Sequence, residues 1–206
     1  IVLTEFNNPV FYDRLLPLGR LREPQSSIYR ADMVVVTKCP EQLQPLEYRI
    51  FKNSLKLFPF QKLFFSRFDY PALRPLFPDY VPTTLHLSWL SSADTIYVLS
   101  GIANPKPLVR YLKGFKAKVK VKVYPDHHNF SRRDLENITR RFNELEGERK
   151  FIVTTEKDAV RLVNNPYFPH ELKNSIFFQP IEVKFDPKNT ERFDLELQKM
   201  LLNAVR

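Results

Sequence analysis

The sequence FIVTTEKDAVR at residues 151–161 passes from a β-strand directly into an α-helix. The apolar run Phe151–Thr155 is typical of a buried strand, and a threonine followed three residues later by Asp158 resembles a capping box. The same order occurs upstream, where a strand over Lys116–Tyr124 precedes a helix that starts at Ser131. Strands that alternate with helices predict an α/β fold with a mostly parallel sheet.

The same reasoning extends over the rest of the chain. A helix is predicted over Glu41–Leu57, and Thr190 is predicted to cap a last helix. The other predicted strands are Ile1–Phe6, Ala31–Thr37, Gln61–Arg67, Thr83–Trp89, Thr95–Ser100 and Ser175–Val183. From their grouping we interpret residues 1–66 as part of a core lobe, 67–91 as a β-ribbon or hinge region, and 92–206 as a C-terminal α/β lobe.

Composition limits the class of protein. The chain has 206 residues, of which 43% are hydrophobic, and its 32 Lys and Arg against 23 Asp and Glu give a net charge of +9. This charge is ordinary for a basic soluble protein, and it also suits phosphorylated ligands, nucleic acid or an acidic membrane surface. The single cysteine excludes an internal disulfide and indicates a reducing compartment. The sequence contains no run of about 20 apolar residues, so no membrane span is predicted.

Two charged segments follow strands of the predicted sheet. Asp126, His127 and His128 come after one strand, and Thr155 to Asp158 come after the next. We expect these two strands to be neighbours in the sheet. Because ligands gather at the carboxyl ends of parallel strands, both segments should then share one crevice. An imidazole can exchange protons near neutral pH, and Lys157 adds a positive charge at a helix start. The alternatives are a loop that satisfies its own backbone and a capping box with solvated charges.

Two further basic features are open to two interpretations. The loop at residues 15–24 carries Arg22 and Glu23, which suit phosphate binding and its support, or else form an ordinary surface ion pair. Four lysines alternate with small apolar residues and therefore lie on one face of a strand: Lys116, Lys118, Lys120 and Lys122. They favour an edge strand protected by charge, with contact to an anionic surface as the alternative.

Several strings together resemble one family, the tetraacyldisaccharide 4'-kinases of bacterial lipid A biosynthesis. They are LLPLGRLRE at 15–23, GIANP at 101–105, PDHHNF at 125–130 and TEKDAV at 155–160. The resemblance implies a P-loop-kinase-like fold with two α/β lobes joined by a β-ribbon hinge. It also implies ATP-dependent phosphorylation of the 4'-hydroxyl of a tetraacylated glucosamine disaccharide 1-phosphate.

The resemblance assigns residues as well. His127 is similar to the family histidine that pairs with an aspartate to activate the sugar hydroxyl. That aspartate is expected upstream, and we add Asp126 as an orienting partner within this chain. Arg22 and Glu23 correspond to residues near the reacting groups, and Lys157 is a further substrate-binding candidate. The residues that bind ATP and Mg²⁺ are expected upstream, so no cofactor-binding or metal-binding residue is predicted in this chain. The family's glycines and asparagine before the Leu-Pro element are replaced here by Phe11–Arg14.

The chain starts at Ile1 without an initiator methionine, and none of its four glycines begins a G-x-x-x-x-G-K-[ST] phosphate-binding loop. We therefore expect a carboxyl-terminal part of such a kinase, inactive by itself. The resemblance implies an acylated disaccharide lipid as substrate and peripheral binding at the cytoplasmic face of the inner membrane. We expect a monomer that does not bind nucleic acid.

Two other functions stay open on the sequence. One is a metal-dependent phosphoesterase in which Asp126, His127, His128 and Asp158 bind Mn²⁺ or a similar ion. The other is a basic module that binds anionic lipid or nucleic acid, for which binding would weaken as salt rises.

Overall fold

The computed structural model describes residues 1–204, and for 187–191 and 203–204 it describes the backbone alone. The chain forms two compact units. The first unit contains Ile1–Asp69 and the described part of Glu182–Arg206, and the second unit contains Tyr70–Ile181. No helix among the described residues combines the length and the apolar character needed to cross a bilayer.

The first unit is built on a four-stranded sheet with the order β1-β2-β3-β9. Its strands are β1 (Val2–Glu5), β2 (Met33–Thr37), β3 (Lys62–Asp69) and β9 (Glu182–Phe185), and its helices are α1 (Pro45–Ser54) and α5 (Pro187–Ala204). Strands β1, β2 and β3 are parallel, and β9 is antiparallel to β3. Val34 and Val36 pack on the side of α1, whereas Met33 and Val35 pack on the side of α5. Because helices cover both faces, β2 is apolar throughout.

The second unit is built on a five-stranded sheet with the order β4-β8-β7-β5-β6. Its strands are β4 (Arg74–Pro75), β5 (Thr95–Ser100), β6 (Lys118–Val123), β7 (Lys150–Thr155) and β8 (Ile176–Gln179). Its helices are α2 (Lys106–Leu112), α3 (Arg132–Asn143) and α4 (Glu156–Val163). All strands except β4 are parallel. Helix α2 packs on one face, and α3 and α4 pack on the other. The predicted α/β class and the mostly parallel sheet are confirmed.

The prediction of a single strand over Ser175–Val183 is wrong because the strand is interrupted at Pro180. Proline has no N–H to donate to a ladder, and the residues on either side join different sheets as β8 and β9. As a result, residues from Glu182 onward belong to the first unit, whereas the sequence interpretation placed 92–206 in one lobe. The chain passes between the units twice, beside the paired residues Asp69 and Glu182 at the ends of β3 and β9.

The predicted strand Thr83–Trp89 is also absent from the second unit. Leu85 forms a single bridge with Leu73, and a 3₁₀ turn follows at Leu87–Trp89. The leucines at 85, 87 and 90 are buried on the face that α2 covers, so core packing rather than strand pairing holds this segment. The last helix starts at Pro187, and the side chain of its predicted cap, Thr190, lies outside the described side chains.

An ion pair between a half-exposed arginine and a buried carboxylate links the start of β5 to the start of β7. Asp94 has no exposed side-chain surface and accepts hydrogen bonds from Arg149 Nε at 2.9 Å and Nη2 at 2.7 Å. Its carboxylate also accepts from the backbone N–H and hydroxyl of Ser91. The Arg149 hydrogen bonds, followed by those from Ser91, outweigh desolvation and lower the pKa of Asp94 to about 2.

This lowered pKa predicts acid sensitivity of the second unit. The unfolded-state pKa of an aspartate is about 3.9, so Asp94 stabilises the fold fully above that pH and loses its contribution as the pH falls toward about 2. We expect Asp94→Asn to lower the urea midpoint at neutral pH, and its deficit relative to the parent to shrink as the pH falls through this window. A deficit independent of pH would contradict the account.

Candidate active site

The two charged segments lie at one edge of the second sheet but do not follow adjacent strands. Strand β5 lies between β6 and β7 because the chain pairs β6 on one side of β5 and then returns to pair β7 on the other. The expectation of neighbouring strands is therefore wrong, although the three strands are parallel and their carboxyl ends share one edge. A point where successive connections diverge to the two sides of a strand is where α/β sheets form a crevice.

Gly101, directly after β5, joins the two segments. Its N–H donates to Asp158 Oδ2 at 2.8 Å, and its carbonyl accepts from the backbone N–H of His127 at 3.1 Å. A Cβ at this position would lie 3.1 Å from Asp158 Oδ1 and 3.4 Å from the Cβ of His128. Glycine therefore allows the segments after β6 and β7 to meet across β5.

His127 occupies the centre of the cluster and its side chain is 68% exposed. Its Nε2 lies 3.2 Å from Lys157 Nζ, and its Nδ1 lies 3.1 Å from Nη2 of Arg161. The Asp126 carboxylate lies 3.6 Å from His127 Nε2 and 3.6 Å from Lys157 Nζ. The backbone of His127 has φ 60°, a left-handed conformation uncommon outside glycine, and such conformations cluster at functional sites.

A buried carboxylate holds this cluster in place. Asp158 has no exposed side-chain surface and accepts hydrogen bonds from Gly101 N, from Thr155 Oγ1 at 2.8 Å and from Arg161 Nη1 at 3.1 Å. Arg161 in turn contacts His127, so the carboxylate positions the guanidinium that positions the ring.

Arg161 was missed as a site residue on the sequence. The signal was present, because Arg161 comes four residues after Lys157 and three after Asp158, and helical periodicity places all three on one face of α4. The sequence did not single out Arg161 because its partner in the site, His127, comes from another segment of the chain.

His128 has a structural role instead. Its Nε2 lies 3.0 Å from Asp134 at the start of α3, and its ring stacks on Tyr124 with a centroid distance of 4.6 Å. The phosphoesterase alternative requires Asp126, His127, His128 and Asp158 to converge on one metal ion. They do not, because His128 is hydrogen-bonded to Asp134 and Asp158 is hydrogen-bonded to Arg161. Among the residues the structure describes, no group of three or more His, Cys, Asp and Glu is arranged to hold a metal ion.

Arg22 and Glu23 lie in the first unit. The loop before them is closed by Asp13, which accepts from Arg14 N at 2.8 Å, Arg20 N at 3.1 Å and Arg20 Nε at 3.0 Å. Glu23 pairs with Arg30 rather than with Arg22. Arg22 is exposed and forms no ion pair within the described part of the chain. That these two residues act together with His127 stays a prediction.

The cluster combines an accessible imidazole, a carboxylate and two cations at a sheet edge. Such a set can take a proton at the ring and hold an anion beside it. A family model described as LpxK, tetraacyldisaccharide-1-P 4'-kinase, matches residues 1–201. The chain belongs to this family. The resemblance carried by the short motifs is thereby confirmed.

Relatives and a solved structure agree with this membership. Tetraacyldisaccharide 4'-kinase of Bacteroides thetaiotaomicron is 42% identical over 200 residues, which cover 94% of this chain and 52% of that protein. The enzyme of the same name from Porphyromonas gingivalis is 42% identical over 188 residues, covering 89% and 51%. The chain thus spans about half the length of these curated relatives.

The crystal structure of LpxK from Aquifex aeolicus in complex with ATP matches with a TM-score of 0.56 at 22% identity. The match covers 98% of this chain and 50% of that one. It confirms the predicted P-loop-kinase-like fold.

Proposed function

We propose that this chain is part of an enzyme that transfers a phosphoryl group from ATP to the 4'-hydroxyl of a tetraacylated glucosamine disaccharide 1-phosphate. The observation that carries the proposal is the cluster around His127, with Lys157 and Arg161 against its two ring nitrogens, in a chain of the tetraacyldisaccharide-1-P 4'-kinase family.

In this proposal His127 accepts the proton of the sugar hydroxyl while the hydroxyl oxygen forms a bond to the terminal phosphorus of ATP. The bond from that phosphorus to the bridging oxygen breaks, and ADP leaves. Asp126 orients the ring and compensates the positive charge that the ring gains. Phosphoryl transfer depends on positioning and on neutralising the negative charge of the phosphoryl oxygens. Lys157 and Arg161, both on α4, supply positive charge for this. Arg22, exposed in the first unit, is proposed to neutralise charge on the transferred group. Glu23 acts indirectly, by fixing Arg30 beside the loop.

The residues present do not form a loop that would hold the nucleotide phosphates, nor a site for Mg²⁺. The sequence holds no G-x-x-x-x-G-K-[ST] loop, and the described residues offer no cluster of metal ligands. We therefore assign the phosphate-binding loop and the Mg²⁺ site to other parts of the complete kinase. We also propose that the complete enzyme acts as a monomer at the cytoplasmic face of the inner membrane, where its acylated substrate is anchored, without binding nucleic acid.

The proposal is tested by assaying two proteins with labelled ATP and the acylated disaccharide 1-phosphate. We expect no transfer above background by the 206-residue chain, and transfer by the protein extended to the length of its curated relatives. Transfer by the chain alone would overturn the assignment of the phosphate-binding loop to another part of the protein. An inactive but folded extended protein would overturn the kinase function.

A further inference from the structure

A groove separate from the His127 cluster lies between β6 and α3, on the α3 face of the same unit. Strand β6 forms one edge of the sheet, as the alternating lysines predicted, and Lys116 precedes it. A groove of about 660 Å³ lies along this edge. Four cations and two tyrosines line it: Lys120, Lys122, Arg140, Arg141, Tyr97 and Tyr124.

The positive charge of the groove is only partly compensated. Lys120 forms no ion pair with any residue that the structure describes, and Lys122 lies 5.2 Å from the centroid of the Tyr124 ring. Two carboxylates also line the groove, Glu144 and Asp134. Glu144 pairs with Arg141 at 3.6 Å, and the Asp134 carboxylate is bonded to Ser131 and His128. Two positive charges therefore remain in excess.

The tyrosines are the more informative residues. Tyr97 is 7% exposed and Tyr124 is 9% exposed, yet neither hydroxyl is hydrogen-bonded to a described residue. Neither hydroxyl oxygen is among the fully buried, unpaired polar atoms of the described residues, so both reach the solvent of the groove and are free to donate to a ligand there. Burial raises the pKa of both phenols, that of Tyr124 to about 12, so both remain donors at neutral pH.

We propose that this groove binds a phosphate group carried by an organic ligand. Phosphate oxygens accept hydrogen bonds from guanidinium, ammonium and phenol donors, and these are the groups that the groove presents. Lys120 from β6 and Arg141 from α3 hold the anion, and the two phenols donate to it. The 3.6 Å pair of Arg141 with Glu144 is more than half exposed on both sides, so it leaves the guanidinium able to turn to the anion. The site does not depend on the proposed kinase reaction. The phosphate can belong to a lipid headgroup or to a soluble ester, and the experiment separates these sources.

Binding is measured without ATP, by titrating the chain with vesicles of phosphatidylglycerol in phosphatidylcholine and, separately, with glycerol phosphate. The groove variant is Lys120→Ala/Arg141→Ala. The matched control Arg110→Ala/Lys113→Ala removes one arginine and one lysine from exposed positions at the end of α2. A third variant, Tyr97→Phe/Tyr124→Phe, removes the phenol donors and keeps the net charge.

We expect the groove variant to bind about 30-fold more weakly, since each basic residue near an anionic surface contributes about 1 kcal/mol. The control should lose less than about 3-fold, and the tyrosine variant about 5-fold or more. Binding to vesicles alone supports the site and identifies a lipid headgroup, whereas equal binding of glycerol phosphate supports it and identifies a soluble ester. No binding of either probe, or equal losses in groove and control variants with none in the tyrosine variant, would overturn it.

Discussion

Replacing His127 by alanine in the complete kinase is expected to lower kcat by about 10²- to 10⁴-fold, the usual contribution of a positioned proton-transfer group. The ring is 68% exposed and packs on little, so its loss should not disturb the core. The ring is the proposed proton acceptor, and Lys157 and Arg161, which contact it, would hold an anion beside it. The measurement is steady-state transfer from ATP to the acylated disaccharide.

His86→Ala is the matched control for this change. His86 is an exposed histidine of the same unit, and its ring contacts Trp89 rather than any residue of the cluster. We expect its kcat to stay within about 2-fold of the parent, as for surface substitutions in general. Equal losses in the two variants would show that the imidazole at 127 has no special role.

Replacing Asp158 by alanine is expected to lower the free energy of unfolding of the second unit by about 3 kcal/mol. The change leaves Arg161 without its buried partner and removes the acceptor of the Gly101 N–H and of the Thr155 hydroxyl. It also removes the carboxylate at the first turn of α4, where the helix dipole favours negative charge. Urea unfolding followed by circular dichroism measures the effect.

Asp126→Ala separates this structural effect from the general loss of a carboxylate. The Asp126 side chain is 39% exposed and lies 3.6 Å from both His127 and Lys157, so solvent screens its pairs. We expect less than about 1 kcal/mol of destabilisation from its removal. If the two variants were equally stable, the buried carboxylate would not be the residue that holds the cluster.

Local features of this chain could be predicted from the sequence. Ser131 and Thr155 cap their helices as expected, each accepting a hydrogen bond from the N–H three residues later, on Asp134 and Asp158. Such signals depend only on residues within one turn. The same holds for the lysine row of β6, whose period of two places its members on one face.

Long-range features could not be predicted in this way. The order of strands in a sheet depends on which edge the chain pairs with when it returns. Nothing in the sequences of β6 and β7, which start at Lys118 and Lys150, indicates that β5 lies between them. The break at Pro180 is visible as a proline, but the departure of the next residues to the first unit is not. Arg161 is a site residue because the loop that carries His127 brings the ring against α4, and the sequence does not show this contact.

We propose that His127 serves the chemical step rather than the binding of the lipid. The most direct measurement compares kcat with the Kd for the acylated disaccharide in His127→Ala of the complete kinase. We predict that Kd changes by less than about 3-fold while kcat falls by about 100-fold or more. A Kd that rises in step with the loss of kcat, or a kcat that stays near the parent value, would contradict this account.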